Sequence, residues 1–180
     1  MSKYLIDSDA WLALRRLSVL ELMIGAETLP RPLLMCEYAA RHELSSVSDE
    51  LSVIEQQTHL HICGVHEKAK KQQIRSLIKE GTDKGEAEAV VWSLAQDKDC
   101  RPCFVSIDRR ARRLAREKGL TAGDVFDLIV DLLEGHVLDV ARVQLKLLVW
   151  EDRRQQLGRP SDFTNFREML QKRRRSRWSG

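Results

Sequence analysis

Two aspartates directly follow short apolar runs that are typical of buried strands. Asp7 comes after the run at residues 4–6, and Asp108 comes after the run at residues 104–107. In an open parallel sheet, ligands collect at the carboxyl ends of the strands, so both carboxylates are expected to face one crevice. Neighbouring carboxylates repel each other unless a cation lies between them, and hard divalent cations take oxygen ligands. The two aspartates therefore predict a metal site.

Further acids are predicted to reach the same crevice from two helices. Glu37 lies in a segment whose apolar residues have the spacing of a buried helix face. Residues 85–89, Gly-Glu-Ala-Glu-Ala, begin another predicted helix, and their small side chains allow close backbone approach. This helix offers either Glu86 or Glu88. A strand-end aspartate is commonly only a helix cap, so the metal interpretation depends on the combination of acids.

The elements that would position these acids alternate between strands and helices. Apolar runs predict strands at residues 4–6, 60–65 and 104–107, and a short fourth strand at residues 119–121. Strands that alternate with helices imply an α/β fold with a parallel sheet. The helices are predicted at about residues 11–17, 33–44, 46–57, 66–79, 85–97 and 109–118, with two more between residues 122 and 150.

Length and composition favour a single domain with a short extension. A chain of 180 residues, of which 43% are hydrophobic, can bury one sizeable core. The predicted domain spans residues 1–150, and a polar stretch opens the C-terminal extension of residues 151–180. Apolar residues between Phe163 and Leu170 have the spacing of a small docking helix. A mobile basic tail is expected after it.

The positive charge of the chain is concentrated in two clusters. The net charge is only +3, but basic residues crowd residues 109–118 and 172–177. Such patches favour a polyanionic partner, and the alternatives are a solvated helix surface or a disordered tail. No long apolar region precedes Lys3, and no run approaches the roughly 18 residues of a membrane span. A cytoplasmic protein without a membrane partner is therefore expected.

These motifs resemble those of PIN-domain proteins, particularly the VapC-like toxin branch. The resemblance covers about residues 3–140 and rests on residues 4–9, Glu37, residues 85–89 and residues 104–112. Its most specific parts are Gly-Glu-Ala-Glu-Ala and the later Asp-Arg-Arg-Ala-Arg. The resemblance implies a PIN-like three-layer α/β/α sandwich with a short central parallel sheet of four or five strands.

The resemblance also implies an activity, namely hydrolysis of RNA phosphodiester bonds with Mg²⁺ or Mn²⁺. On the positions that match the family motifs, Asp7, Glu37 and Asp108 are the catalytic and metal-binding acids. Glu86 or Glu88 completes the group, with Glu86 preferred. Secondary candidates, whose alternative role is capping, are Asp9, Ser106 and Asp124.

The partners implied are RNA and a regulatory protein. Arginines that follow the last acid are expected to contact the RNA backbone and to contribute affinity rather than base specificity. VapC-like relatives are usually neutralised by a small antitoxin, so a toxin-antitoxin pair is expected. An apolar surface between Leu17 and Leu51 would suit such a partner or a homodimer. The arginines are Arg109, Arg110, Arg112, Arg113 and Arg116.

Two other functions stay open. Residues 6–9, Ile-Asp-Ser-Asp, resemble the paired nucleophile and acid of haloacid dehalogenase-type phosphatases, and Asp124 with Asp127 resembles their metal motif. That spacing is short for the motif and leaves the helical glutamates without a role. The other alternative is a catalytically inactive PIN fold that binds RNA or protein, against which the intact set of acids argues.

Overall fold

A five-stranded parallel sheet organises the chain in the computed structural model, which describes residues 3–25 and 32–177, with side chains through residue 175. The strand order is β3-β2-β1-β4-β5. Helices flank this sheet, so the expected α/β/α sandwich is confirmed. The strands are β1 (Tyr4–Ile6), β2 (Leu33–Cys36), β3 (Leu60–Cys63), β4 (Cys103–Val105) and β5 (Ala122–Gly123).

Two hydrophobic clusters, one on each face of the sheet, form the core. One joins α1, α2, α3, α7, α8 and α9, and the other joins α4, α5 and α6. The helices are α1 (Ser8–Arg16), α2 (Val19–Ile24), α3 (Ser48–Gln56), α4 (Lys68–Lys79), α5 (Lys84–Leu94), α6 (Arg109–Glu117), α7 (Val125–Glu134), α8 (Val140–Glu151) and α9 (Phe166–Arg177).

Successive strand residues supply the two clusters alternately. In β1, Leu5 belongs to the cluster with α4–α6, whereas Ile6 belongs to the cluster with α7–α9. Phe104 and Val105 of β4 divide in the same way. Side chains of a strand point to opposite faces in turn, and helices cover both faces of this sheet. Consecutive residues of these central strands are therefore apolar.

The second strand differs from the sequence-based prediction, which placed a helix over residues 33–44. The structure shows that this prediction was wrong for β2, whose four residues are all buried and whose register pairs Leu33 with Leu60 and Cys36 with Cys63. Short apolar runs fit a buried strand and a buried helix equally well, because periodicity does not separate them. The fourth predicted strand, at residues 119–121, lies instead at Ala122–Gly123 as β5.

A π-helical turn and a 3₁₀ turn connect β2 to α3. The π-helical turn spans Ala39–Glu43 and the 3₁₀ turn spans Ser45–Val47. The wider π turn is rare and occurs frequently at functional sites. It ends at Glu43, so that an acid lies at the edge of the sheet where β1 and β2 also end.

The C-terminal extension packs onto the same core as the preceding residues. Phe163 and Phe166 lie edge-on against Phe126 of α7, with ring centroids 5.8 and 6.3 Å away. The predicted docking helix is confirmed as α9. Residues 172–177, where a mobile basic tail was expected, continue α9 as a helix. Residues 178–180 lie outside the described part of the chain.

Strands are added to one side of β1 first and to its other side afterwards. β1, β2 and β3 follow one another outward on one side, and the chain then crosses to β4 and β5 on the other side. Such a switch point opens a crevice at the carboxyl ends of the central strands, here β1 and β4. Among the described helices, none combines the length and the apolar character needed to cross a membrane.

Candidate active site

An acidic pocket of about 440 Å³ opens at the carboxyl ends of β1 and β4. Its walls come from the start of α1, the end of the π turn, the start of α5 and the start of α6. Ser8 and Leu12 line it together with six acids. These acids are Asp7, Asp9, Glu43, Asp83, Glu86 and Asp108.

Asp7 and Asp108 occupy the switch point because each begins the helix that follows its strand. The carboxylate of Asp7 accepts a hydrogen bond from the Ala10 N–H at 2.7 Å, and that of Asp108 accepts one from the Arg110 N–H at 2.6 Å. The predicted alternative, helix capping, is therefore fulfilled by both aspartates. A carboxylate has two oxygens and about four acceptor sites, so capping leaves capacity for a ligand.

Ser106 connects the two aspartates. Its side chain is fully buried, its hydroxyl accepts a hydrogen bond from the Asp108 N–H at 3.0 Å, and it hydrogen-bonds the Asp7 carboxylate. A single buried hydroxyl thus fixes the backbone that carries one acid and the side chain of the other. Ser106 is a positioning residue of the pocket.

Glu43 reaches the pocket by passing over Gly85. The Ser8 hydroxyl donates a hydrogen bond to the Glu43 carboxylate. A Cβ atom added to Gly85 would lie 2.7 Å from Glu43 Oε1, closer than real Cβ atoms approach other atoms. The absence of a side chain at the start of α5 therefore permits the position of Glu43. Glu43 was not predicted from the sequence because the π turn that carries it was assigned to a regular helix.

The start of α5 contributes two further acids. Asp83 caps this helix through a 3.0 Å hydrogen bond from the Gly85 N–H, and Glu86 lies in its first turn. Asp83 was not among the predicted site residues either, although its place just before a predicted helix is a recognisable capping signal.

The carboxylates destabilise one another's charged forms. Burial raises the pKa of Asp7 from 3.8 to about 7, and repulsion by Asp9 and Glu86 adds to the rise. Burial also raises the pKa of Glu43 and of Glu86. Repulsion by Asp83 adds to both shifts. The pocket therefore holds more negative charge than its surroundings compensate.

Two predicted acids lie outside this pocket. Glu37 follows β2 directly, forms a 2.7 Å ion pair with Arg41, and has its Oε2 beside Gly64 at the end of β3. Glu88 is buried at 9% exposure, and its carboxylate accepts a 2.8 Å hydrogen bond from the Tyr38 N–H. Both side chains are thus engaged on the β2–β3 side of the sheet, whereas Glu86 lines the pocket.

The predicted RNA-binding arginines divide between two sides of α6. Arg110 donates to the Gly81 carbonyl at 3.0 Å and lies close enough to Glu86 to lower its pKa, in opposition to burial. Arg113 is 73% exposed and lies 3.8 Å from Glu117. Arg109 and Arg112 line a separate cleft against the C-terminal extension.

The donor set of the pocket suits a hard divalent cation. Carboxylate oxygens are the ligands that Mg²⁺ and Mn²⁺ prefer, and a cation would offset both the burial cost and the repulsion that raise the pKa of Asp7. Within the described ranges, no three acidic, histidine or cysteine side chains are already gathered as a metal-binding group. The donor set of the pocket includes Asp7, Glu43, Glu86 and Asp108.

Comparison of the sequence with protein-family models found no match, and comparison with curated proteins found none either.

Replacing Asp7 by asparagine is expected to stabilise the metal-free protein at about pH 8. Because the pKa of Asp7 is raised from 3.8 to about 7 on folding, its ionisation favours the unfolded chain progressively between these values. The asparagine side chain would remain neutral and could still cap α1. At one pKa unit per 1.36 kcal/mol, the gain has a ceiling of about 4 kcal/mol.

Urea unfolding in the presence of a chelator, at several pH values, measures this effect. The difference between Asp7→Asn and wild type should vanish near pH 4 and grow to its full size above about pH 7. Asp99→Asn is a matched control, because Asp99 is exposed on the surface. Equal stability of Asp7→Asn and wild type across this range would contradict the proposed burial cost.

Proposed function

We propose that this protein is a metal-dependent ribonuclease that hydrolyses RNA phosphodiester bonds with Mg²⁺ or Mn²⁺. The observation that carries the proposal is the pocket of six carboxylates at the switch point of a parallel sheet. The resemblance to PIN-domain ribonucleases, through Asp7, residues 85–89 and Asp108, supports the same activity.

Four acids are the proposed metal-binding set: Asp7, Glu43, Glu86 and Asp108. A bound divalent cation supplies Lewis acidity, which lowers the pKa of water and offsets charge developing on the phosphate. The chain itself supplies positions fixed before substrate arrives, through the caps of α1 and α6 and the buried Ser106 hydroxyl. Preorganised charges of this kind need no rearrangement at the moment of reaction.

Arg110 is suited to hold the substrate beside these acids. Arg110 lines a neighbouring cavity that shares Glu86 and Asp108 with the pocket. Its guanidinium donates to the Gly81 carbonyl there and keeps further N–H donors. A phosphate entering a pocket of carboxylates is repelled, and a flanking arginine reduces that repulsion. Arg110 would therefore contribute to RNA binding at the cleavage site.

The phosphatase alternative has less support from the geometry. It requires Asp124 and Asp127 as metal ligands, but Arg173 forms ion pairs with both, at 2.9 and 2.8 Å. These aspartates also form the capping box of α7 and do not line the pocket of Asp7. The carboxylates of Asp124 and Asp127 are therefore already engaged in pairing with Arg173 and in capping α7.

A protein inhibitor belongs to the proposal, because the resemblance is to toxins that act in toxin-antitoxin pairs. The expected contact surface between Leu17 and Leu51 has little support. Both of these residues are 2% exposed, and none of the large apolar side chains described between them is exposed. A surface for the antitoxin, or for a second copy of the chain, must be sought elsewhere.

The direct test is cleavage of single-stranded and duplex RNA with Mg²⁺, Mn²⁺ or a chelator. We expect cleavage with either metal and none with the chelator. Asp108→Asn, purified in parallel, identifies contaminating ribonuclease, since the amide keeps the shape of the acid but loses its charge. Metal-independent cleavage, or equal cleavage by Asp108→Asn, would refute the proposal.

A further inference from the structure

A second cleft, rich in arginine, lies between α6 and the C-terminal extension. It consists of two adjoining cavities of about 340 and 330 Å³ that share five lining residues, Arg109, Arg112, Asp124, Pro160 and Ser161. One wall is α6, and the other is the segment 156–162 that leads into α9. We call it the arginine cleft.

Three arginines project from one face of α6 into this cleft. Arg109, Arg112 and Arg116 are spaced three and four residues apart, so they share a helix face. Arg109 donates to the Ser161 hydroxyl, Arg112 to the Ser106 carbonyl at 2.6 Å and Arg116 to the Ala122 carbonyl at 2.7 Å. These contacts engage neutral oxygens, and each guanidinium has five N–H donors. The arginines are therefore anchored and retain donors.

The positive charge of these three arginines is offset only in part, by the electrostatic attraction of Asp124 and Asp127 for Arg112. In the described part of the chain, none of the ion pairs involves Arg109, Arg112 or Arg116. Three aspartates do line the cleft, but each of them lies within 3.6 Å of Arg173. Across the two cavities, five arginines are present with three aspartates, so positive charge is in excess. Anchored guanidinium groups with such an excess are suited to bind anions, and phosphate oxygens match the arginine fork.

The arginine cleft adjoins the acidic pocket. Asp108 lines the pocket and Arg109, the next residue, lines the cleft, so the start of α6 forms the border between them. A nucleic-acid strand whose scissile phosphate entered the pocket would have neighbouring phosphates near this border. The cleft offers positive charge where those phosphates would lie.

We propose that the arginine cleft binds the phosphodiester backbone of the RNA strand adjacent to the cleavage site, with the C-terminal extension as its second wall. The inference rests on RNA being the substrate of the acidic pocket. The contacts are to phosphate, so they fix the position of the strand without reading its bases. The extension is thereby assigned a part in substrate binding.

The test measures binding of a short unstructured RNA in a chelator, where cleavage is not expected, over a series of salt concentrations. For single strands, the slope of log affinity against log salt falls by about 0.7 for each phosphate that the protein no longer neutralises. We expect the slope to fall by about 0.7 for Arg109→Gln and by about 1.4 for the double variant that combines Arg109→Gln with Arg116→Gln. Arg142→Gln, on the exposed surface of α8, is the matched control and should keep the wild-type slope.

Thermal unfolding checks that the variants are folded, and Arg109→Gln alone keeps the test decisive if Arg116→Gln is unstable. Slopes of both variants equal to that of Arg142→Gln would overturn the inference, while metal-dependent cleavage would still support the proposed function. Reduced slopes without cleavage by the wild type would support phosphate binding in the arginine cleft, but would refute both the ribonuclease proposal and the place of the cleft beside a cleavage site. No RNA binding by the wild type would overturn the inference.

Discussion

Glu43→Gln is expected to reduce metal-dependent RNA cleavage roughly a hundred-fold or more, the scale of losing one preorganised electrostatic group at a reacting centre. Glu43 lines the acidic pocket and is held there by the Ser8 hydroxyl. Glutamine has nearly the same shape but lacks the charge that attracts a cation. The measurement is the initial rate of RNA cleavage over a range of Mn²⁺ concentrations.

Glu37→Gln is the matched comparison, since both variants replace a glutamate between β2 and α3 by its amide. Glu37 lies outside the pocket and pairs with Arg41 on the surface, so its variant is expected to retain cleavage within a few-fold of wild type. If Glu37→Gln lost activity and Glu43→Gln retained it, the acid assigned by the family resemblance would be the functional one, and Glu43 would not belong to the metal-binding set.

Arg173→Met is expected to destabilise the protein by about 3–5 kcal/mol, the usual loss when one partner of a buried ion pair is removed. Arg173 is 21% exposed, and it binds Asp124, whose side chain is 10% exposed, and Asp127. Burial and repulsion by Asp127 already raise the pKa of Asp124, which Arg173 opposes. Without Arg173, two neighbouring carboxylates would remain in a poorly solvated position. Urea unfolding at neutral pH measures the change.

A second substitution separates this electrostatic effect from loss of packing. Asp124→Asn in the Arg173→Met background removes one of the uncompensated charges, while asparagine can still cap α7. We expect this double variant to recover part of the lost stability. Arg167→Met, which removes an exposed arginine from the same helix, should change stability little. Failure of Asp124→Asn to restore any stability would indicate that Arg173 acts through packing.

The sequence was sufficient to predict the sheet edge on which the acids lie. Asp7 and Asp108 follow apolar strands, and the alternation of strands with helices requires these strands to be parallel, so both acids had to share an edge. The choice between Glu86 and Glu88 could not be made in this way. Residues two apart on a helix point in nearly opposite directions. Only the packing of α5 against β2, with the hydrogen bond from the Tyr38 N–H, decides that Glu88 is buried and that Glu86 faces the pocket.

Glu43 could not be predicted from sequence patterns for a different reason. Its position depends on the strand β2, which looks like a helix in sequence, on a π turn and on the absence of a Cβ at Gly85. The helix-like sequence of β2 is an ambiguity of short apolar runs, whereas the π turn and the close approach of Glu43 to Gly85 are properties of tertiary packing. The ion pairs of Arg173 with Asp124 and Asp127 could not be predicted either, because they join residues 46 or more positions apart.

The late position of α9 in the chain affects the order in which a nascent chain can fold. Synthesis proceeds from the N-terminus, so all five strands emerge from the ribosome before α9 does. Until then, Phe126 and Trp150 lack the cover that Phe163 provides, and Asp124 and Asp127 lack Arg173. Completion of the core, and of the wall of the arginine cleft, therefore follows the emergence of all five strands.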